Sequence, residues 1–233
     1  MSPSIQNRLF KKHNLNAVYI PIQTGDLRTV VSSIKVTENF MGANITIPYK
    51  EAIIPLLDEI SEDARFCGAV NTIYKNAGRL CGANSDIDGF KEALKYDLGF
   101  DIKNGDAAIL GTGGAARAVI AAIGNLAKSI TIISRNRSSA KTLIEQFSGR
   151  VAAQFYVKSW DDELNVDLII NATPIGLNGE LLPINFGKSA LFDLVYSKNN
   201  TPIVALFKKC GNNAIDGKQM LNRQAEISFA IWQ

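Results

Sequence analysis

Lys50 closes the run Gly42-Ala43-Asn44-Ile45-Thr46-Ile47-Pro48-Tyr49-Lys50 and is the side chain in this sequence best placed for proton transfer. Residues 43–47 alternate and are rich in β-branched side chains, the pattern of a strand. Pro48 stops the ladder because it has no N–H to donate. A lysine at a strand end, beside a turn, can be aimed into a cleft. The chain's one histidine, His13, lies in the polar stretch Lys11-Lys12-His13-Asn14, so a lysine is the better candidate for the role histidine often plays. Asn71 (in Ala69-Val70-Asn71-Thr72) and Asp86 (in Asn84-Ser85-Asp86-Ile87-Asp88-Gly89) also sit at expected strand ends. Taken singly, each has a plain structural reading: Lys50 as a surface cation, Asp86 as a helix N-cap.

A second constellation can hold phosphate. Gly111-Thr112-Gly113-Gly114-Ala115-Ala116 follows the apolar run Ala107-Ala108-Ile109-Leu110 and opens an Ala-rich segment. Glycines let the backbone approach a pyrophosphate, and a helix N-terminus favours its charge. Ala116 stands at the third glycine of G-x-G-x-x-G, a substitution the motif tolerates. The next strand ends in Ser134-Arg135-Asn136-Arg137 rather than in the acidic residue that holds a free ribose 2′-hydroxyl. Arginine grips a 2′-phosphate and a carboxylate repels it, so NADP is favoured over NAD. The competing reading puts Arg135 and Arg137 on a solvated helix start.

These residues need a frame. The pattern predicts a helix over 4–14, a strand over 17–22, a helix over 26–37, the strand 43–47 and a helix over 51–60. Paired strands at 69–74 and 78–84 follow, then a helix over 88–98. Beyond Gly99 short apolar strands (107–110, 129–133, 166–171, 190–195) alternate with helices (114–127, 137–148, 201–210), which argues for a parallel, doubly wound α/β sheet. A last helix covers 218–232. The seam between two domains falls near 86–104.

Composition excludes other classes. The 233 residues are 46% hydrophobic and 20% charged, with net charge +3, an ordinary globular balance too weakly basic for a nucleic-acid surface. No apolar run reaches the length of a membrane span, and the N-terminus lacks a signal-peptide core. Three cysteines without metal spacing suggest free thiols in the cytoplasm, and no metal site is expected.

In their order, the motifs resemble the shikimate dehydrogenase (shikimate/quinate dehydrogenase) family over nearly the whole chain. Besides those quoted, Asn171-Ala172-Thr173-Pro174-Ile175-Gly176, Asp193-Leu194-Val195-Tyr196, Asp216-Gly217-Lys218-Gln219-Met220-Leu221 and Gln224-Ala225 carry the likeness. The resemblance implies NADP-linked interconversion of 3-dehydroshikimate and shikimate in aromatic amino-acid biosynthesis, by a monomer or homodimer. It implies two α/β domains with the active site in the cleft between them. Residues 1–86 would be the substrate-binding catalytic domain, with the C-terminal helix 217–233 packing back on it, and 87–216 a Rossmann-type NADP domain. Lys50 falls on the family's general acid/base and Asp86 on its partner. Ser2, Thr46, Asn71, Tyr196 and Gln224, with Asn44 nearby, fall on the substrate shell. Gly111 to Ala115, Ser134, Arg135, Asn136, Thr173, Gly217 and Met220 fall on the cofactor site. An NAD-preferring quinate/shikimate dehydrogenase and a nucleotide-binding homologue without catalysis are the alternatives.

The family pattern departs at both ends. A glycine-containing strand and a Ser-x-Ser-Pro motif usually open it; here Ser2 matches the second serine, and Gln6 stands where a histidine is usual. One hydrogen bond to the substrate carboxylate is then expected to be missing, worth about 1.5–3 kcal/mol, and a neighbouring strand to become an exposed edge. The chain stops near Gln233, where the family commonly adds a helix.

Overall fold

The computed structural model describes residues 1–197 and 199–233. The chain divides into two compact units, Met1–Gly89 with Leu221–Gln233, and Phe90–Met220.

The first unit contains α1 (Ser2–Lys12), α2 (Leu27–Val36), β1 (Gly42–Asn44), α3 (Tyr49–Ala52), a 3-10 turn (Ile54–Leu56), β2 (Glu59–Ile60), α4 (Glu62–Cys67), β3 (Thr72–Asn76) and β4 (Arg79–Ala83). Helix α5 (Asp86–Tyr96) starts here. The strands form one sheet in the order β1-β3-β4-β2. β3 and β4 pair antiparallel, and the turn between them uses positive φ at Ala77 and Gly78. Successive residues of β3 serve opposite faces. Ile73 joins a core with Val31, Ile53, Val70 and Leu80, and Tyr74 packs on a cluster of Ile5, Leu9, Phe10, Phe229 and Trp232.

Three expected elements in this unit differ. Residues 17–22 form no strand. The side-chain amide of Asn7 takes both backbone groups of Tyr19, accepting its N–H at 2.8 Å and donating to its carbonyl at 2.9 Å, and Val18, Ile20 and Ile22 stay exposed. The helix expected over 51–60 is one α turn and one 3-10 turn, because Pro55 has no N–H and its ring collides with the preceding turn. β1 is likewise shorter than the strand expected over 43–47, as the chain leaves the ladder ahead of Pro48.

The second unit contains β5 (Asp106–Leu110), α6 (Gly114–Ile123), β6 (Ser129–Ile133), α7 (Arg137–Phe147), β7 (Gln154–Lys158), β8 (Glu163–Leu164), β9 (Leu168–Asn171), β10 (Asn185–Phe186), β11 (Ala190–Asp193), α8 (Pro202–Lys209) and β12 (Ala214–Ile215). Six of these strands form a parallel sheet in the order β12-β11-β9-β5-β6-β7. This is the doubly wound parallel α/β fold expected from the alternation of apolar strands and helices. The chain reverses its direction of travel between β5 and β9, and in such sheets ligands bind beyond the strand ends at this switch point. Ala107–Leu110 and Leu168–Ile170 are buried on both faces, which accounts for their unbroken apolar sequence. The last helix, α9 (Lys218–Ile231), places Ala225, Phe229 and Trp232 in the cluster with α1. Among the described residues no helix is long and apolar enough to cross a membrane.

Trp232 sets a local limit. Its indole N–H donates to the Ile73 carbonyl at 3.1 Å, and a Cβ on Gly42 would lie 2.2 Å from the indole and 2.7 Å from that carbonyl. Gly42→Ala is therefore expected to destabilise the protein by about 1–3 kcal/mol, read from urea unfolding midpoints; an unchanged midpoint would show that the indole yields freely.

Candidate functional site

Lys50 is the second residue of α3, and Asp86 is the first of α5. Both are tied to the segment 69–71. Val70 N–H donates to the Lys50 carbonyl at 2.8 Å. Asn84 spans the other side: its Nδ2 donates to the Ala69 carbonyl at 2.8 Å and its Oδ1 accepts the Asp86 N–H at 3.0 Å. The side chains then meet, Lys50 Nζ to Asp86 Oδ2 at 2.6 Å, with 16% and 10% of each side chain exposed. The carboxylate also lies at a helix N-terminus, where the dipole favours negative charge. An ammonium has three donors; among the described residues Asp86 is its hydrogen-bond partner, so further donors can meet a ligand oxygen.

A buried polar cluster belongs to the same unit. Asn71 Oδ1 accepts the Ser85 N–H at 2.8 Å and the Thr72 hydroxyl at 2.9 Å, and its Nδ2 donates to Ser85 Oγ at 3.0 Å. Ser85 Oγ also donates to Gln224 Oε1 at 3.3 Å. The hydroxyls of Thr72, Ser85 and Ser228 form a triangle with sides of 3.2, 2.9 and 2.8 Å, and Asn44 Nδ2 donates to Ser228 Oγ at 2.8 Å. Gly89 lets α5 approach Gln224 on α9, since a Cβ there would sit 2.9 Å from the Gln224 Cβ. Gln6 is fully buried; its Nε2 donates to the Ala225 carbonyl at 3.1 Å, while its Oε1 has no hydrogen-bond partner among the described residues. Thus Asn71 and Gln224 are joined through Ser85. Ser2 is half-buried and Thr46 exposed, and among the described residues neither side chain bonds to the cluster.

The second unit carries the glycine turn at the end of β5. Gly111 has φ +105, and a Cβ on it would lie 3.0 Å from the Ala172 carbonyl and 3.1 Å from the Thr173 methyl. Gly113, after Thr112 in the turn, precedes α6 with no side-chain cap and open space where a Cβ would lie, so the Gly114 and Ala115 amides at the start of α6 form a helix N-terminus without a side-chain cap. Asn136 spends its side chain capping α7, accepting from the N–H groups of Ser138 and Ser139, and its own N–H donates to Ser134 Oγ at 3.3 Å. Arg137 donates to Ser159 Oγ at 2.9 Å, whereas Arg135 is exposed and lacks a side-chain partner among the described residues. The residues present fit a dinucleotide with a 2′-phosphate: a helix start without a side-chain cap, a glycine at Gly111 where a Cβ would crowd Ala172, an exposed Arg135, and among the described residues no carboxylate paired with it. Gly217 N–H donates to the Val195 carbonyl at 3.0 Å, and a Cβ there would lie 2.4 Å from the Leu194 carbonyl, so glycine is required. Met220 is buried and Tyr196 half-buried.

A family model described as "Shikimate dehydrogenase substrate binding domain" matches residues 1–73. The NADP(+) shikimate dehydrogenase of Streptococcus thermophilus is 37% identical, covering 100% of this chain and 86% of its own. That of Prochlorococcus marinus is 38% identical, covering 100% and 87%. The chain belongs to the shikimate dehydrogenase family. Among solved structures, the Thermus thermophilus shikimate 5-dehydrogenase in complex with NADP(H) and shikimate superposes with a TM-score of 0.88 at 31% identity, covering 100% of this chain and 88% of that one.

Three residues of this shikimate dehydrogenase family member are given no role by the motif reading. Ser85 lies unremarked between Asn84 and Asp86. Ser228 falls on the stripe of Leu221, Ala225 and Trp232 along α9, and a serine in an apolar stripe is the signal that could have found it. Asp193 ends the apolar strand Ala190-Leu191-Phe192 and is fully buried. Its Oδ1 accepts from Asn171 Nδ2 at 2.8 Å and the Val195 N–H at 3.1 Å, and its Oδ2 accepts the Thr201 hydroxyl at 2.5 Å. Burial pushes the Asp193 pKa up to about 6, and the Asp216 charge adds to the rise; the three hydrogen bonds oppose it.

A carboxyl group whose folded pKa lies above its unfolded value costs stability once it ionises. The cost is absent below about pH 4 and is complete somewhat above pH 6, on the order of 2–3 kcal/mol. Asp193→Asn does not titrate and can keep the Oδ1 contacts. Its stability relative to the parent protein should therefore rise between about pH 4 and 7; a pH-independent difference in urea unfolding would refute the assignment.

Proposed function

We propose that this protein interconverts 3-dehydroshikimate and shikimate with NADP, in aromatic amino-acid biosynthesis, and that Lys50 and Asp86 carry the proton transfer. The observation that carries this reading is the 2.6 Å ion pair of Lys50 and Asp86, in the same unit as a buried set of amides and hydroxyls. When bound, the cofactor would supply a hydride to the ketone as NADPH and would accept one as NADP+ in the reverse direction. A ketone that gains a hydride becomes an alkoxide and needs a proton as the charge develops. Lys50, as an ammonium, donates that proton to the oxygen, and its charge stabilises the oxyanion before transfer is complete. In the oxidation of shikimate the neutral amine takes the hydroxyl proton. Asp86 holds Nζ in place and balances its charge, and it is placed to accept from a substrate hydroxyl. Asn71 and Gln224, with Ser2, Thr46 and Tyr196, are assigned to the polyhydroxylated ring and its carboxylate, which need several donors and acceptors.

The glycine turn from Gly111 to Ala115 is assigned to the pyrophosphate, and Ser134, Arg135 and Asn136 to the 2′-phosphate. Thr173, Gly217 and Met220 are assigned to the nicotinamide end. On this reading, residues 1–86 with 217–233 serve the substrate and residues 87–216 serve NADP. An odd number of cysteines, three, fits the reducing cytoplasm to which we assign the enzyme, as a monomer or homodimer.

Shikimate-dependent reduction of NADP, followed by absorbance, tests the chemistry. Lys50→Ala should lower kcat roughly 10²- to 10⁴-fold, the usual share of general acid–base catalysis, and Asp86→Asn should also lower it strongly. Near-normal turnover in both variants would remove the pair from the mechanism. Arg135→Ala should weaken NADP binding roughly tenfold or more, the worth of a charge-assisted contact, and leave NAD binding unchanged. Equal effects on the two nucleotides in a titration would dismiss Arg135 as the 2′-phosphate ligand.

A further inference from the structure

Asp193 is a fully buried ionisable group that the proton-transfer chemistry does not use. Its carboxylate lies at the hub of a chain of hydrogen bonds inside the second unit. On one side Asn171 Nδ2 donates to Asp193 Oδ1 at 2.8 Å. The Oδ1 of the same amide accepts both the Thr173 N–H at 3.0 Å and the Thr173 hydroxyl at 2.6 Å. Nδ2 also donates to the Ile175 carbonyl at 3.0 Å, so the carboxylate and this carbonyl together orient the amide, and Thr173 lies against Gly111. On the other side the Val195 N–H donates to the same carboxylate oxygen at 3.1 Å, and the Val195 carbonyl accepts the Gly217 N–H at 3.0 Å. The second carboxylate oxygen is anchored by the Thr201 hydroxyl at the start of α8.

We infer that Asp193 is a positioning residue for the nicotinamide half of the bound dinucleotide, holding Thr173 on one side and the Val195–Gly217 contact on the other. The inference rests on the NADP assignment made above. The carboxylate is suited to this because both donors that matter converge on a single oxygen, and an ionised oxygen is a stronger acceptor than a neutral one. Holding a charge in this place is costly, since burial pushes Asp193 up to about 6 and Asp216 faces it as a second negative charge, itself paired with Lys218 at 3.4 Å. The elements that carry the 2′-phosphate candidates, β6 and the start of α7, share no hydrogen bond with this chain among the described residues. The adenine half should therefore be indifferent to it.

The test compares two ligands of the enzyme by fluorescence or calorimetric titration: NADP, and 2′,5′-ADP, which carries the adenosine end with its 2′- and 5′-phosphates and lacks the nicotinamide half. Asp193→Ala should raise the Kd of NADP about tenfold and leave that of 2′,5′-ADP within twofold. Asp193→Asn, which keeps the Oδ1 acceptor, should restore most of the NADP affinity. Thr201→Val, isosteric and remote from Thr173 and Gly217, should give a smaller loss, about threefold and again confined to NADP; it keeps the test alive if Asp193→Ala does not fold. Parallel weakening of both ligands, or no change in either, would reduce Asp193 to a structural residue and overturn the inference. A parent enzyme that binds 2′,5′-ADP and NADP but fails to oxidise shikimate would overturn the proposed function and leave this one standing; one that binds neither would overturn both.

Discussion

A lysine and an aspartate held 2.6 Å apart, with most of both side chains removed from water, impose a demand that the first unit is built to meet. Deleting one member of such a pair leaves a charge with neither solvent nor partner, which costs more than the pair itself contributes. The two residues are 36 positions apart in sequence, so backbone precision has to come from something between them. That spacer is the segment 69–71. It binds the Lys50 carbonyl through Val70 and reaches Asp86 through both ends of the Asn84 amide. Asn71, the next residue, faces the hydroxyl cluster. Three consecutive residues thus set the lysine, its counter-charge and a polar side chain at once, and the hairpin of β3 and β4 holds the segment in register.

The hydroxyl cluster obeys a different constraint. Buried polar groups are tolerated when each finds partners, and a triangle of hydroxyls can satisfy itself because every member both donates and accepts. Thr72, Ser85 and Ser228 can turn their hydroxyl protons from one neighbour to another without moving heavy atoms. Gln6 sits near the opposite limit, with a buried acceptor that finds no partner among the described residues. The close passage of α9 over Gly89 brings Gln224 and Ser228 to the cluster from a point late in the chain.

How far the sequence reveals this depends on the range of the forces involved. Ala107-Ala108-Ile109-Leu110 and the glycines after it announce a buried parallel strand and its turn, because apolarity on both faces and the need for positive φ at Gly111 are local properties. β3 and β4 are legible for the same reason. Residues 17–22 mislead because alternation marks a strand only if another strand lies beside it, and here the Asn7 side chain takes the backbone groups instead. The long helix over 51–60 fails on Pro55, whose effect depends on where the helix starts. Lys50 and Asp86 are legible as candidates, but their distance follows from hydrogen bonds at 69–71 and 84–86, which no periodicity encodes. Arg135 and Arg137 look equivalent in sequence; the contact of Arg137 with Ser159 separates them.

Asp86 and Asp193 are the same side chain set in opposed electrostatic surroundings. Asp86 has a full positive charge 2.6 Å away and a helix start behind it. Asp193 has hydroxyl, amide and N–H dipoles, and the charge of another carboxylate, Asp216, opposes its ionisation. Dipoles compensate a buried charge less completely than an ion does, which is why burial prevails and its pKa climbs to about 6. A neutral residue would fold at lower cost. What the carboxylate adds is two fixed directions from one oxygen: one to Asn171 and onward to Thr173, the other to Val195 and onward to Gly217. A stability cost at a buried group is tolerated where geometry is worth more than stability, as functional sites commonly require. The strand end at Asp193, where the parallel sheet delivers its ligand-facing loops, is a place of that kind.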